Sequence, residues 1–216
     1  MIPRKKMTAT RHALGAWASG GVRVVLYALA LILISACDSQ SASKPLKFDS
    51  VDITGVGWGT DLHLTDHAGK PRGLADFRGK VLAIYFGYTH CPDMCPTTMA
   101  KLARVVERLG DQAGRVQVAF ITVDPARDTP EVLAQYVPAF NPTFLGLYGD
   151  ERTTALTAAE FKVYFGAEPK DANGFYTVDH SSPVYVFDPK GRLRLFVRPD
   201  ESIDAVVHDV KLLLES

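Results

Sequence analysis

Cysteine is scarce in this chain: three in 216 residues, at positions 37, 91 and 95. So few exclude a disulfide-built scaffold, and the fold must come from a hydrophobic core. The length and a hydrophobic content of 47% are enough for one. An excess of either charge is also missing, with 24 basic residues against 24 acidic ones. There is no basic stripe, which argues against nucleic acid as a partner. No internal repeat is visible. The apolar run from Val24 to Ala36 falls short of the roughly 18–20 residues a helix needs to span a bilayer.

What stands around that run is informative. Arg4, Lys5, Lys6, Arg11 and Arg23 come before any acidic residue, as in the charged region of an export signal. The run closes as Leu33-Ile34-Ser35-Ala36-Cys37, which resembles the lipobox of bacterial lipoproteins with Ile34 in place of the commoner leucine. The resemblance implies cleavage before Cys37 and a diacylglyceryl anchor on its sulfur. Asp38, next in line, implies retention at the inner membrane. The other reading is an uncleaved anchor helix with an incidental cysteine. The expected division is an export signal over 1–36, a lipidated Cys37 with a serine-rich tether over 37–46, and a domain over 47–216 held at the periplasmic face of the bacterial inner membrane. Without the signal, acidic residues outnumber basic ones by five, so adhesion to anionic lipid has no support. The two remaining thiols would lie in an oxidising compartment.

The domain alternates strand and helix signals. Val81 to Phe86 reads as a strand buried on both faces, and Met99, Leu102, Ala103 and Val106 then follow helical spacing. Val116 to Val123 is a second strand. Asp128-Thr129-Pro130 caps a helix with Val132, Leu133, Tyr136, Val137 and Phe140 inward. Phe144 to Tyr148 reads as a third strand and Thr153 to Phe165 as helix. Pro183 to Phe187 and Leu193 to Val197 form a hairpin, and Ser202 caps a last helix. A β-α-β unit with thiols at its first strand–helix junction, closed by a hairpin and a helix, is the thioredoxin arrangement. The predicted class is therefore α/β and thioredoxin-like, with an added N-terminal hairpin between Phe48 and Phe77 and an inserted loop carrying His180.

Cys91 and Cys95 are four apart, where a regular helix would put them on one face. Pro96 disputes a helix already running from Pro92, so an irregular turn is expected from Cys91 to Cys95, with the regular helix starting near Pro96. Both sulfurs would then sit by free helix N–H groups, which favour thiolate. Such a pair can lock a disulfide, exchange one, or hold a soft metal. A bridge across so short a loop restricts the unfolded chain only modestly, a poor reason for a structural disulfide. A metal needs a third donor, and histidine is the natural type. His12 lies in the signal, His63 and His67 sit among turn residues, and His208 lies beside charged neighbours. His90 adjoins Cys91, but adjacent side chains diverge. His180, at the end of the loop from Glu168 to Asp179, is the candidate ligand, with a satisfied surface histidine as the alternative. Asp179 could orient it or cap a strand. Asp124 and Asp128 read as a strand end and a helix cap, or as residues that position the thiol turn or receive a partner.

Three blocks carry a family resemblance. Gly87-Tyr88-Thr89-His90-Cys91-Pro92-Asp93-Met94-Cys95-Pro96, then Thr122 to Pro130, then Tyr176-Thr177-Val178-Asp179-His180-Ser181-Ser182 resemble the Sco/SenC family of copper proteins needed for assembling cytochrome c oxidase. The resemblance implies a site for Cu(I) or Cu(II) made by Cys91, Cys95 and His180, and delivery of copper to the binuclear copper centre of the oxidase. Alternatively, the protein keeps the cysteines of that centre reduced as a thiol-disulfide oxidoreductase. Implied partners are the copper-bearing oxidase subunit, a periplasmic thiol reductase and an upstream copper donor. Ala126 stands where the family often has glutamate. Pro183 stands where many members are apolar, which raises the expectation of a cis Ser182–Pro183 bond like the one facing the thiols in other thioredoxin-like proteins.

Overall fold

A computed structural model describes residues 46–216. The expected export signal, the expected lipidation of Cys37 and the expected tether before Leu46 lie outside the described residues. In chain order the strands are β1 (Val51–Asp52), β2 (Leu64–Asp66), β3 (Pro71–Arg72), β4 (Val81–Gly87), β5 (Val116–Thr122), β6 (Leu145–Tyr148), β7 (Phe165–Ala167), β8 (Val178–His180), β9 (Val184–Phe187) and β10 (Leu193–Val197). The α-helices are α1 (Met94–Arg108), α2 (Pro130–Tyr136), α3 (Glu151–Glu160) and α4 (Ile203–Leu214). Short 3-10 turns precede β4 and β5.

Eight strands form one sheet in the order β1-β10-β9-β4-β5-β6-β2-β3. β4, β5 and β6 run parallel through α1 and α2, as strand–helix–strand crossovers require. β9 and β10 add antiparallel on the other side of β4. Every residue of β4 and β5 is buried, which explains why both read as unbroken apolar runs rather than alternating ones. α1 packs against α4, and α2 against β6. Phe86, Phe161, Tyr185 and Phe187 fill the middle with edge-on and tilted ring contacts.

The thioredoxin-like α/β prediction holds, with three local corrections. The segment expected as one added hairpin divides: β2 and β3 are a hairpin that extends the sheet beyond β6, while β1 covers the opposite side at β10. The expected helix to Phe165 stops at Glu160. Lys162 turns left-handed at φ 58°, and Phe165–Ala167 becomes a strand. The expected loop before His180 is in part a strand too, because β7 and β8 pair as a separate two-stranded sheet. The start of the domain is held by Asp209, fully buried in α4, whose two oxygens accept from the backbone N–H groups of Asp49 (2.9 Å) and Ser50 (2.8 Å). His208 lies 3.0 Å from the same carboxylate and 3.1 Å from that of Asp49.

Candidate metal centre

β4 ends at Gly87, beneath the thiols. A Cβ built there would stand 2.9 Å from Cys95 Sγ and 2.8 Å from the Phe120 ring, so the absence of a side chain makes room for the sulfur. The chain then turns through Thr89 to Asp93, with the Cys91 N–H donating to the Tyr88 carbonyl at 3.3 Å. α1 begins at Met94, two residues earlier than the position of Pro96 suggested. Pro96 fits within the first turn because the opening N–H groups of a helix have no partner inside it, so a missing one costs nothing. Cys95 is thus in the first turn of a regular helix, and only Cys91 stands in the irregular turn. The Cys95 N–H reaches back to Cys91 Sγ at 3.4 Å.

The two sulfurs are unlike. Cys95 is fully buried and Cys91 half-buried, and among the described residues neither is bonded to another cysteine. The expected thiolate character fails at Cys95. Burial pushes its thiol up to about 12, and the hydrogen bonds it receives do not reverse that. Tyr85 donates its hydroxyl toward Cys95 Sγ at 3.6 Å, and Tyr85 is itself raised, first by burial and then by the nearby cysteine.

His180 closes the site from the far end of β8. Its Nδ1 lies 2.9 Å from the Ser181 carbonyl, which can only accept, so Nδ1 carries the proton and Nε2 keeps a free lone pair. That Nε2 faces Cys95 Sγ at 3.4 Å. Burial, foremost, lowers the His180 pKa and keeps the ring neutral at pH 7. Tyr85 and Tyr88 hold the ring edge-on, at centroid distances of 6.2 and 5.9 Å. The sulfurs of Cys91 and Cys95 and a ring nitrogen of His180 all lie within 4.8 Å of one another. Two sulfurs and one imidazole nitrogen form a soft donor set that suits Cu(I), whereas oxygen-seeking ions such as Mg²⁺ or Ca²⁺ would find no carboxylate in the group.

The remaining candidates fall elsewhere. His63 is exposed and paired with Asp61, and His67 accepts the Gly146 N–H through Nδ1. His90 is exposed, its Nδ1 at 3.1 Å from Thr89 Oγ1. Asp179 does not orient His180. Asp179 is exposed, opposite Gly166 in the small sheet, and the Ser181 carbonyl orients the ring instead. All peptide bonds among the described residues are trans, Ser182–Pro183 included. Ala126 is exposed, as a surface position would be.

Asp124 and Asp128 do more than end a strand and cap a helix. Thr129 caps α2. Asp128 is buried, which raises its pKa against the hydrogen bonds from Thr122 and Thr89 that lower it. Asp124 accepts from the Tyr176 hydroxyl at 2.9 Å and from Arg127 Nε, while Arg127 Nη1 donates to the Tyr176 carbonyl at 2.8 Å. The Arg127 guanidinium also lies over the Tyr176 ring at 3.5 Å, so this group fastens the arm of His180 to the loop after β5. The reading of single residues missed Tyr85, Arg127 and Tyr176. The last two lie inside the second and third blocks, which was the signal available.

A model of the SCO1/SenC family matches residues 55–215. The human mitochondrial SCO2 homolog is 43% identical over 176 residues, covering 81% of this chain and 66% of the human protein, just under two thirds of its length. Among solved structures, Bradyrhizobium japonicum ScoI with copper bound is similar at a TM-score of 0.66 and 36% identity, over 71% of this chain and 98% of that one. The apo Sco1 protein of Thermus thermophilus is similar at a TM-score of 0.70 and 38% identity, over 78% and 98% of the two chains.

Proposed function

Because the chain belongs to the SCO1/SenC family, we propose that it is a copper metallochaperone, carrying copper on Cys91, Cys95 and His180 to the binuclear copper centre of cytochrome c oxidase during assembly. The observation that carries the reading is the convergence of the two sulfurs and an imidazole nitrogen within 4.8 Å, from segments 85 positions apart. The copper-bound relative from Bradyrhizobium supports the choice of metal. Copper is cargo here, and its transfer is ligand exchange. A partner's thiolates replace Cys91, Cys95 and His180 in turn, with no change of oxidation state required. Cys91, the more open sulfur, is the natural first contact, and buried Cys95 with His180 holds the ion until the partner has engaged. The neutral His180 ring needs no deprotonation to donate, whereas the Cys95 thiol gives up its proton when copper arrives.

Anaerobic titration of the reduced full chain with Cu(I) and Cu(II), followed spectroscopically, tests the assignment. One equivalent bound by the wild type and weaker binding by His180→Ala is the expected result. Unchanged affinity in the variant would remove His180 from the centre.

The difference in burial between the sulfurs favours one further reading, a thiol-disulfide oxidoreductase. In it the Cys91 thiolate attacks a disulfide of the oxidase subunit, and Cys95 resolves the mixed disulfide. The partner gains two electrons and two protons, and a Cys91–Cys95 bridge is left for a periplasmic thiol reductase to open. Oxidase assembly with His180→Ala and both cysteines intact separates the two: failure selects copper delivery, and full assembly selects thiol reduction. Export and anchoring through Cys37 at the periplasmic face of the inner membrane are part of the proposal. Labelling with a fatty-acid analogue that disappears in Cys37→Ser tests the anchor.

A further inference from the structure

The turn that carries Cys91 is not held by the helix that follows it or by the strand before it alone. It is held from the side, by a carboxylate 37 positions further along the chain. Asp128 is 1% exposed, and three donors converge on it. Thr89 donates its backbone N–H to Oδ2 at 3.0 Å and its hydroxyl to Oδ1 at 2.6 Å, and Thr122 donates its hydroxyl to Oδ2 at 2.6 Å. An ionised carboxylate can only accept, so both hydroxyl protons point to Asp128, and the Thr122 oxygen also accepts the Asp124 N–H at 2.9 Å. Asp128 is itself fixed, because the Asp124 carbonyl accepts from the N–H groups of both Arg127 (3.1 Å) and Asp128 (3.0 Å).

We propose that Asp128 is the positioning residue of the thiol turn: by gripping Thr89 at two atoms, it sets where Cys91 stands relative to Cys95 and His180. The α2 helix needs no cap from Asp128, since Thr129 supplies one through its bond to the Val132 N–H. A charged acceptor is the group that suits three donors and no acceptor, and hydrogen bonds to it are the stronger kind. Asparagine would have nearly the same shape but would turn an N–H₂ group toward at least one of those donors. Thr89 is two residues from Cys91, and Cys91 is tied back to Tyr88, so a shift at Thr89 is passed directly to the sulfur. The exposed face of the turn carries His90, whose Nδ1 faces the same Thr89 hydroxyl oxygen at 3.1 Å.

This inference rests on the metal centre proposed above, and the test separates the two. Full-length Asp128→Asn, Thr89→Val and Thr89→Ser are compared with wild type in Cu(I) competition against a chromogenic chelator and in the electron paramagnetic resonance spectrum of bound Cu(II). Asp128→Asn and Thr89→Val are expected to weaken copper binding by about 10- to 100-fold, the usual effect of removing a group that orients a ligand, and to change the Cu(II) spectrum. Thr89→Ser keeps the hydroxyl and should behave as wild type. A folded Asp128→Asn and Thr89→Val with wild-type affinity and spectrum would overturn the proposal. If Asp128→Asn does not fold, Thr89→Val decides by itself. If the wild type binds neither ion, the metal assignment fails. The rate at which iodoacetamide modifies Cys91 in the metal-free variants then decides the role of Asp128: a severalfold change in Asp128→Asn and Thr89→Val but not in Thr89→Ser supports it, and no change overturns it.

Discussion

Single residues set the character of the two thiols. Cys95 has no open path to solvent and its thiol is pushed up to about 12 by burial, while Cys91 is half-exposed. In the metal-free reduced protein, iodoacetamide should therefore modify Cys91 well before Cys95, as read by peptide mass spectrometry. Equal rates would contradict the burial of Cys95. Gly87 is the second residue of this kind. Any larger side chain there meets Cys95 Sγ, the Phe120 ring and, at 3.1 Å, the Tyr85 ring. Gly87→Ala should cost about 1–3 kcal/mol in denaturant unfolding, the range for overpacking a filled core. Because one of the crowded atoms is a sulfur of the centre, the same variant should also bind copper more weakly. Loss of stability without loss of affinity would show that the sulfur has room to move.

At the scale of elements, two turns repeat one device. Asp66 ends β2 and Asp188 follows β9. Each accepts from the N–H groups two and four residues on, Ala68 and Lys70 in one case and Lys190 and Arg192 in the other. Each is followed three residues later by a glycine with positive φ, Gly69 and Gly191. Arginine completes both: Arg72 on Asp66, and Arg192 with Arg194 on Asp188. Burial alone would raise these carboxyls, but the hydrogen bonds and guanidinium groups outweigh it and hold both pKa values below the usual 3.8. A carboxyl depressed on folding adds stability that is fully present above its unfolded pKa and is lost as pH falls from about 4 toward the folded value. Asp188→Asn should thus lower stability at pH 7 by about 3 kcal/mol, the cost of breaking a buried ion pair. Its deficit relative to wild type should shrink in melts taken below pH 4. A constant deficit across that range would remove Asp188 from the acid response. Both turns were legible in the sequence, because an aspartate with a glycine three residues on has a local meaning. The β7–β8 pairing was not. Phe165-Gly166-Ala167 continues a helical pattern, and only the left-handed Lys162 and a partner strand more than ten residues away make it a strand.

For the whole molecule, legibility followed the range of the interactions. The core strands β4 and β5 announced themselves because burial on both faces leaves an unbroken apolar run, and the thiol turn because its residues are contiguous. His180 could be named as a candidate, but nothing local tied it to Cys95. Positioning of the thiol turn was one of the roles open to Asp128, and nothing local could select it over a helix cap, since its partner Thr89 lies at the end of another strand. One division in the architecture bears on how the centre is held together. The thiols stand at the end of β4, in the middle of the eight-stranded sheet, whereas His180 belongs to a two-stranded sheet that shares no backbone pairing with it. The small sheet is fastened chiefly by side chains, among them Arg127 and Tyr176. Amide hydrogens of β7 and β8 should accordingly exchange with solvent faster than those of β4 and β5, by local opening rather than global unfolding. Equal protection would mean that the two sheets open only together. The centre is then a vice with one jaw cast into the frame and the other bolted on: local opening of β7 and β8 would part the imidazole from the sulfurs without breaking a rung of the main sheet.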